Sequence, residues 1–127
     1  MEVRSFLKAE MRHAPSHKGI GEVRSVKLYS QEDFETPLRF LYDMELPPGT
    51  SIGYHPHQDD EEMYIILEGS GMMTVNGEAR EVRAGDTILN KPYGSHGLYN
   101  HSQRDLKLLV YEAANRSRSP VGPNNPG

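Results

Sequence analysis

The sequence contains no cysteine and no tryptophan, and its 18 acidic residues outnumber its 14 lysines and arginines. Without cysteine, a disulfide framework and thiol chemistry are excluded. The formal net charge of −4, with no basic stripe, leaves no electrostatic footprint for nucleic acid, so no nucleic-acid partner is expected. No apolar run approaches a membrane span, and residues 1–12 lack a signal peptide's apolar segment. We therefore expect a cytoplasmic protein without a membrane partner.

Turn-forming residues are abundant, with twelve glycines and nine prolines among 127 residues. This composition and length favour one β-rich domain over a helical bundle. Mixed charges and early glycines predict an N-terminal arm over residues 1–21, followed by the domain over 22–113. Residues 114–127 are rich in Pro, Gly, Ser and Asn and offer almost nothing to bury, which predicts a flexible C-terminal tail.

Short stretches of alternating apolar residues predict many β-strands. The clearest is 39–46, where aromatic and aliphatic side chains share one face. Asn76-Gly77 predicts a tight hairpin, because a type I′ turn needs positive φ at both central residues. Further strands are predicted over 23–30, 63–67, 72–75, 78–82, 87–90, 97–99 and 106–112. Many short strands separated by turn signals predict an all-β sandwich or barrel.

The stretch 49–69 contains the principal candidate site. His55 and His57 occupy alternate positions just before an acidic cluster and an apolar run. Residues two apart in a strand point the same way, so the two imidazoles would share one face. A carboxylate from the next strand could join them, and imidazole with carboxylate suits Zn, Fe, Ni, Cu or Mn. The alternative is a polar strand end with two surface histidines.

The spacing in this stretch resembles the first motif of the cupin family, with matches at Gly49, His55, His57, Glu62 and Gly69. Glu61 is a rival for the glutamate position, but Glu62 fits the distance to Gly69. The second cupin motif is similar through Gly85, His96 and Asn100. Pro92 and Gly94 each lie one place later than the family pattern. The resemblance covers about residues 40–112.

This resemblance implies an all-β jelly-roll fold, the double-stranded β-helix of a cupin barrel. It implies one divalent transition metal per chain, with Mn, Fe, Ni, Zn or Cu all feasible, held by His55, His57, Glu62 and His96. Single-domain cupins commonly dimerise. A homodimer is therefore expected, in which the N-terminal segment pairs with or packs on the partner's sheet.

Strand parity predicts which side chains surround the metal. Tyr64, two residues beyond Glu62, is the candidate catalytic group, as a hydrogen-bond or proton donor. The alternative is a tyrosine that packs beneath the ligands. Gly53 would leave the approach to the ion unobstructed. The expected substrate cavity consists of Phe40, Tyr42, Ser51, Ile66, Leu98 and Asn100.

The resemblance implies a metal-dependent enzyme for a small oxygenated, metal-chelating metabolite, of the oxygenase, isomerase, decarboxylase or cyclase type. Ile52 stands where oxalate decarboxylases carry a carboxylate-gripping arginine, so a neutral or weakly acidic substrate is expected. A module that binds or senses a sugar-like small molecule without turnover stays open, as does a structural metal. His13, His17 and the acidic residues 59–61 are expected to be solvated and receive no role.

Overall fold

The structure is a computed structural model that describes residues 1–115. It contains ten β-strands and one 3₁₀ turn, at Gln31–Asp33. The strands are Arg12–Ala14 (β1), Val23–Ser30 (β2), Leu38–Leu46 (β3), Ser51–Pro56 (β4), Asp60–Glu68 (β5), Ser70–Val75 (β6), Glu78–Arg83 (β7), Thr87–Asn90 (β8), Ser95–Tyr99 (β9) and Leu106–Ala114 (β10). No helix within these residues could cross a bilayer.

The strands form two antiparallel sheets that face each other. One has six strands in the order β1-β2-β3-β10-β5-β8, and the other has four in the order β4-β9-β6-β7. Alternate side chains of both sheets point inward, and Leu46, Leu98, Leu106 and Leu108 are among the fully buried residues. This is the all-β jelly roll predicted from the sequence, and the prediction is confirmed.

Two glycine-containing turns control how the chain passes between strands. Asn76 and Gly77 both have positive φ, 48° and 83°, as the predicted hairpin between β6 and β7 requires. Gly69, with φ of 86°, connects β5 of one sheet to β6 of the other. A Cβ at Gly69 would lie 2.4 Å from the Asp105 carbonyl oxygen, so only glycine fits this crossing.

The N-terminal segment packs on both sheets of its own chain, whereas the sequence analysis expected it to pair with or pack on a partner's sheet. Strand β1 pairs with β2 of the same chain. Residues 16–20, called the strap below, then cross to the other sheet, where Ser16 forms a parallel bridge with Ile52 of β4. The Gly53 amide donates to the Ser16 carbonyl oxygen at 3.0 Å. The strap therefore joins the edge of the six-stranded sheet to the edge of the four-stranded one.

The close approach of the strap to β4 depends on two facing glycines. A Cβ at Gly19 would lie 2.2 Å from the Ser51 carbonyl oxygen, and one at Gly53 would lie 2.1 Å from the His17 carbonyl oxygen. Gly53 therefore makes room for the strap's backbone, whereas the sequence suggested that it leaves room for an ion.

The last strand ends close to the predicted C-terminal boundary of the domain, residue 113. Ala114 is the last residue of β10, and Asn115 Nδ2 donates to Asp59 Oδ1 at 2.6 Å. The rest of the predicted flexible tail, residues 116–127, lies outside the described residues.

Candidate metal centre

Four candidate ligands converge between the two sheets. Each of His55, His57, Glu62 and His96 offers one ligand atom, and these four atoms all lie within 4.8 Å of one another. Glu62 Oε1 lies 3.1 Å from Nε2 of His57 and 3.1 Å from Nε2 of His96. Three imidazoles and one carboxylate are a donor set that suits divalent transition metals. The residues present therefore fit a metal ion.

The fold brings these residues together from three strands. His55 of β4 is the direct pairing partner of His96 of β9 in the four-stranded sheet. His57 follows immediately after β4, and Glu62 reaches across from β5 of the six-stranded sheet. Three of the four are buried and His55 is half-buried, so the cluster is largely shielded from solvent.

Hydrogen bonds fix the orientation of two of the imidazoles. His55 Nδ1 donates to the Gly53 carbonyl oxygen at 2.7 Å, and His57 Nδ1 donates to Asp60 Oδ1 at 2.8 Å. Each bond leaves Nε2 of the ring facing the cluster. Such outer partners hold a metal-binding imidazole in the correct tautomer and orientation.

Electrostatics pair His57 with Glu62 in the metal-free protein. The hydrogen bond to Glu62, helped by Asp60, raises the pKa of His57 to about 9 despite burial. Burial alone would raise the pKa of Glu62, but hydrogen bonds from His57 and His96 outweigh it and lower the pKa to about 2. Burial lowers the pKa of His55 to about 4, so that ring is neutral. A bound cation would replace the His57 proton beside Glu62.

An ion-pair network lies behind His57. Asp60, which was expected to be solvated, contacts His57 Nδ1 and accepts from Arg39 at 3.3 Å. Arg39 also pairs with Glu112 at 3.5 Å, and Glu112 Oε1 lies 3.8 Å from His57 Nδ1. Burial, together with the charges of Asp60 and Glu62, raises the pKa of Glu112 to about 7. The expectation of a solvated turn is therefore wrong for Asp60, since β5 begins there and turns its carboxylate inward.

Tyr64 lies directly beside the cluster. Its side chain is buried, and its hydroxyl is 3.1 Å from His96 Nε2. Burial, reinforced by the charge of Glu62, raises the pKa of Tyr64 well above its ordinary value. The hydroxyl therefore stays protonated at neutral pH and serves as a hydrogen-bond donor.

A cavity of about 400 Å³ opens next to the cluster, and Glu62 and Tyr64 form part of its wall. Phe40 and Tyr42, two of the expected cavity residues, line it from β3 and are in edge-to-face contact with ring centroids 5.1 Å apart. The remaining lining residues are Arg12, Ala14, Pro15, Ser16, His17, Val23, Ser25, Lys27, Met44, Ile52 and Val110. The N-terminal segment and β2 thus supply much of the wall.

The other four expected cavity residues lie elsewhere. Ile66 and Leu98 point inward but are buried in the core. The register between β4 and β9 shifts between Ile52 and His55, which reverses the side-chain parity. Ile52 consequently lines the cavity, while the Ser51 hydroxyl accepts from the backbone amide of Ile20 at 2.8 Å.

Asn100, the fourth of these residues, stabilises the turn after β9. Its Nδ2 donates to the carbonyl oxygens of Leu46 and Arg104, at 2.7 Å in both cases. Its Oδ1 accepts from the amide and the hydroxyl of Ser102. Both ends of the side chain are therefore engaged in holding the loop.

His17 is a site residue that the sequence analysis missed. Its ring stacks on His55, with centroids 3.5 Å apart and planes 3° from parallel, and it lines the cavity. His17 and Lys18 both have positive φ, 50° and 59°, which is uncommon outside glycine. Only the strap's docking brings His17 here, and that docking needs the two facing glycines Gly19 and Gly53.

A cupin domain model matches residues 42–112, which is more than half of the chain. The chain belongs to the cupin family. The resemblance read from the two motifs is confirmed. This cupin is 36% identical over 110 residues to a protein named "Oxalate-binding protein" from Thermotoga maritima, covering 87% of this chain and 91% of that protein.

Solved structures agree on the cupin fold. A crystal structure described as a "predicted oxalate decarboxylase" from Thermotoga maritima has a TM-score of 0.85 at 33% identity, covering 90% of this chain and 99% of that one. The polyketide cyclase RemF from Streptomyces resistomycificus has a TM-score of 0.75 at 20% identity, with coverages of 89% and 79%. The likeness to RemF shows the fold alone.

Proposed function

We propose that this cupin is a metal-dependent enzyme that binds a small oxygenated acid by chelation and acts on it. One observation carries the proposal: the four-ligand cluster opens, through Glu62 and Tyr64, onto a cavity of small-molecule size. A purely structural metal would need no such opening, since structural sites are closed by protein ligands. The name of the oxalate-binding relative supports a carboxylic acid as the ligand class.

Each residue of the site has a defined part in this proposal. His55, His57, Glu62 and His96 hold one divalent transition metal, which would supply Lewis-acid polarisation of a carboxylate or carbonyl oxygen. Tyr64 contributes a protonated hydroxyl at the cavity wall, from which it donates a hydrogen bond or a proton to the ligand. The aromatic wall of β3 excludes water from the bound acid.

A second candidate is a module that binds the same acid without turnover. It is favoured by the scarcity of carboxylates: Glu62, itself a candidate ligand, is the only one among the described residues that line the cavity. The pKa of Tyr64, far above neutrality, makes that residue a donor but not a base.

For both candidate functions we propose that the protein is a cytoplasmic homodimer, and light scattering measures the mass of the assembly.

The experiment incubates metal-loaded protein with oxalate, other small hydroxy and oxo acids, uronates and diketones, with and without O₂. Products are followed by mass spectrometry. Tyr64→Phe removes only the hydroxyl, so we expect unchanged metal content and near-normal acid binding but a loss of turnover. Binding of acids without conversion of any of them would favour the second candidate. An absence of both metal and acid binding would refute the proposal.

A further inference from the structure

Two cationic side chains line the part of the cavity wall built by the N-terminal segment. Arg12 of β1 and Lys27 of β2 both face the cavity, with Ser16 and Ser25 beside them. Arg12 is the pairing partner of Ser25, and Lys27 follows two residues later, so strand alternation places all three on the side that faces the cavity, where Arg12 and Lys27 remain exposed to solvent. The sequence analysis expected a neutral or weakly acidic substrate because Ile52 stands where oxalate decarboxylases carry an arginine.

Neither cation forms an ion pair within residues 1–115. By contrast Arg24, which lies between them on the same pair of strands but points outward, binds Glu45 at 3.0 Å and Asp105 at 2.7 Å. The Lys27 ammonium lies over the Tyr42 ring, with Nζ 5.7 Å from the ring centroid. Surface cations are commonly solvated, but these two share a cavity wall with the metal cluster.

The charged groups around the cavity favour an anionic ligand. Glu62 is the only acidic residue among the described ones that line it, and that carboxylate faces the metal cluster. A divalent cation at the cluster would more than cancel the charge of Glu62. Together with Arg12 and Lys27, it leaves a strongly positive pocket, which a neutral ligand would not compensate.

We propose that Arg12 and Lys27 form a clamp for a second anionic group of the ligand, at the end remote from the metal. This proposal rests on the proposed function and narrows its substrate class to small diacids. The guanidinium of Arg12 offers a planar fork that matches a carboxylate, and Lys27 adds a compact positive charge. The hydroxyls of Ser16 and Ser25 are placed to donate further hydrogen bonds.

The test compares two double variants that remove the same two charges. Arg12→Gln with Lys27→Gln removes the clamp. The control, Arg80→Gln with Lys107→Gln, also removes one arginine and one lysine, but neither of these residues lines the cavity. Calorimetry on metal-loaded protein measures binding of oxalate, malonate and succinate, which are dianions, and of oxamate, which carries one carboxylate. Elemental analysis checks the metal content of every sample.

We expect the clamp variant to weaken the best-bound dianion on the order of tenfold to a hundredfold, because charged hydrogen bonds are lost. Oxamate should weaken much less, and the control variant should match the wild type. Equal weakening by both double variants would mean that only net charge matters and would overturn the clamp, as would unchanged binding. If metal-loaded wild-type protein binds none of the acids, the proposed function itself fails, and the two failures are thereby distinguished.

Discussion

Replacing Gly53 by alanine tests how the strap is held on β4. The added Cβ would lie 2.1 Å from the His17 carbonyl oxygen and 2.9 Å from the Gly19 amide nitrogen. Both contacts are with backbone atoms, so no side-chain rotation relieves them. Either β4 and the strap move apart locally, or the strap leaves its place.

The magnitude follows from either route. Overpacking a well-fitted contact costs about 1–3 kcal/mol. Release of the strap would break three hydrogen bonds: Gly53 amide to Ser16 carbonyl, Ser51 amide to Ile20 carbonyl, and Ile20 amide to Ser51 hydroxyl. At about 1 kcal/mol each, their loss amounts to about 3 kcal/mol. We therefore expect a destabilisation of about 2–3 kcal/mol, which lowers Tm by roughly 10 °C in a domain of this size.

Urea denaturation measures the free energy of unfolding, and limited trypsin digestion reports release of the strap by cleavage after Lys18. Gly77→Ala is the control, because its Cβ would meet nothing within 4 Å and only its φ of 83° is unfavourable. That variant should lose about 1 kcal/mol and keep Lys18 protected. If Gly53→Ala is no less stable than Gly77→Ala, or resists trypsin equally, the docking of the strap is refuted.

Replacing His55 and His57 by alanine together should abolish the metal found by elemental analysis, while His13→Ala should not; equal metal in all samples would contradict the assignment. In metal-free protein the pKa of His57 is raised to about 9, so the protonated imidazole stabilises the fold fully below pH 6.5. We expect urea titrations to show this contribution to the free energy of unfolding falling between pH 6.5 and 9, and to show no such fall in His57→Gln. Burial raises the pKa of Asp43 to about 6, so Asp43→Asn should stabilise the protein by at most about 3 kcal/mol at pH 8 and little at pH 4; a destabilised variant at pH 8 would contradict this.

The strands were predictable wherever apolar alternation ends at a turn signal. The predicted bounds 23–30 and 87–90 coincide with β2 and β8. Strand β10 reaches Ala114, two residues beyond its prediction, because its backbone continues to pair with β5. The resemblance to the two cupin motifs also named His55, His57, Glu62 and His96, which the structure brings to one point.

The cavity was less predictable, for a physical reason. Parity arguments assume an uninterrupted ladder, and the register shift between Ile52 and His55 exchanges the faces of Ser51 and Ile52. Strand β1 has only three residues and no apolar alternation. Its position is set by backbone pairing with β2, which leaves no pattern in the side chains. Nothing local in β1 predicts that Arg12 reaches the cavity.

Under the proposed function, the wall of the cavity would discriminate among small acids more than the candidate metal ligands would. The four candidate ligands would contact only the end of a molecule that chelates a bound ion, and a polyketide cyclase shares the same fold at 20% identity. In the arrangement proposed here, the other end of the ligand would meet β1 of the N-terminal arm and β2, where Arg12 and Lys27 line the cavity. Because the strap holds that arm in place, a change at Gly53 should alter the affinity for a diacid even when the metal stays bound.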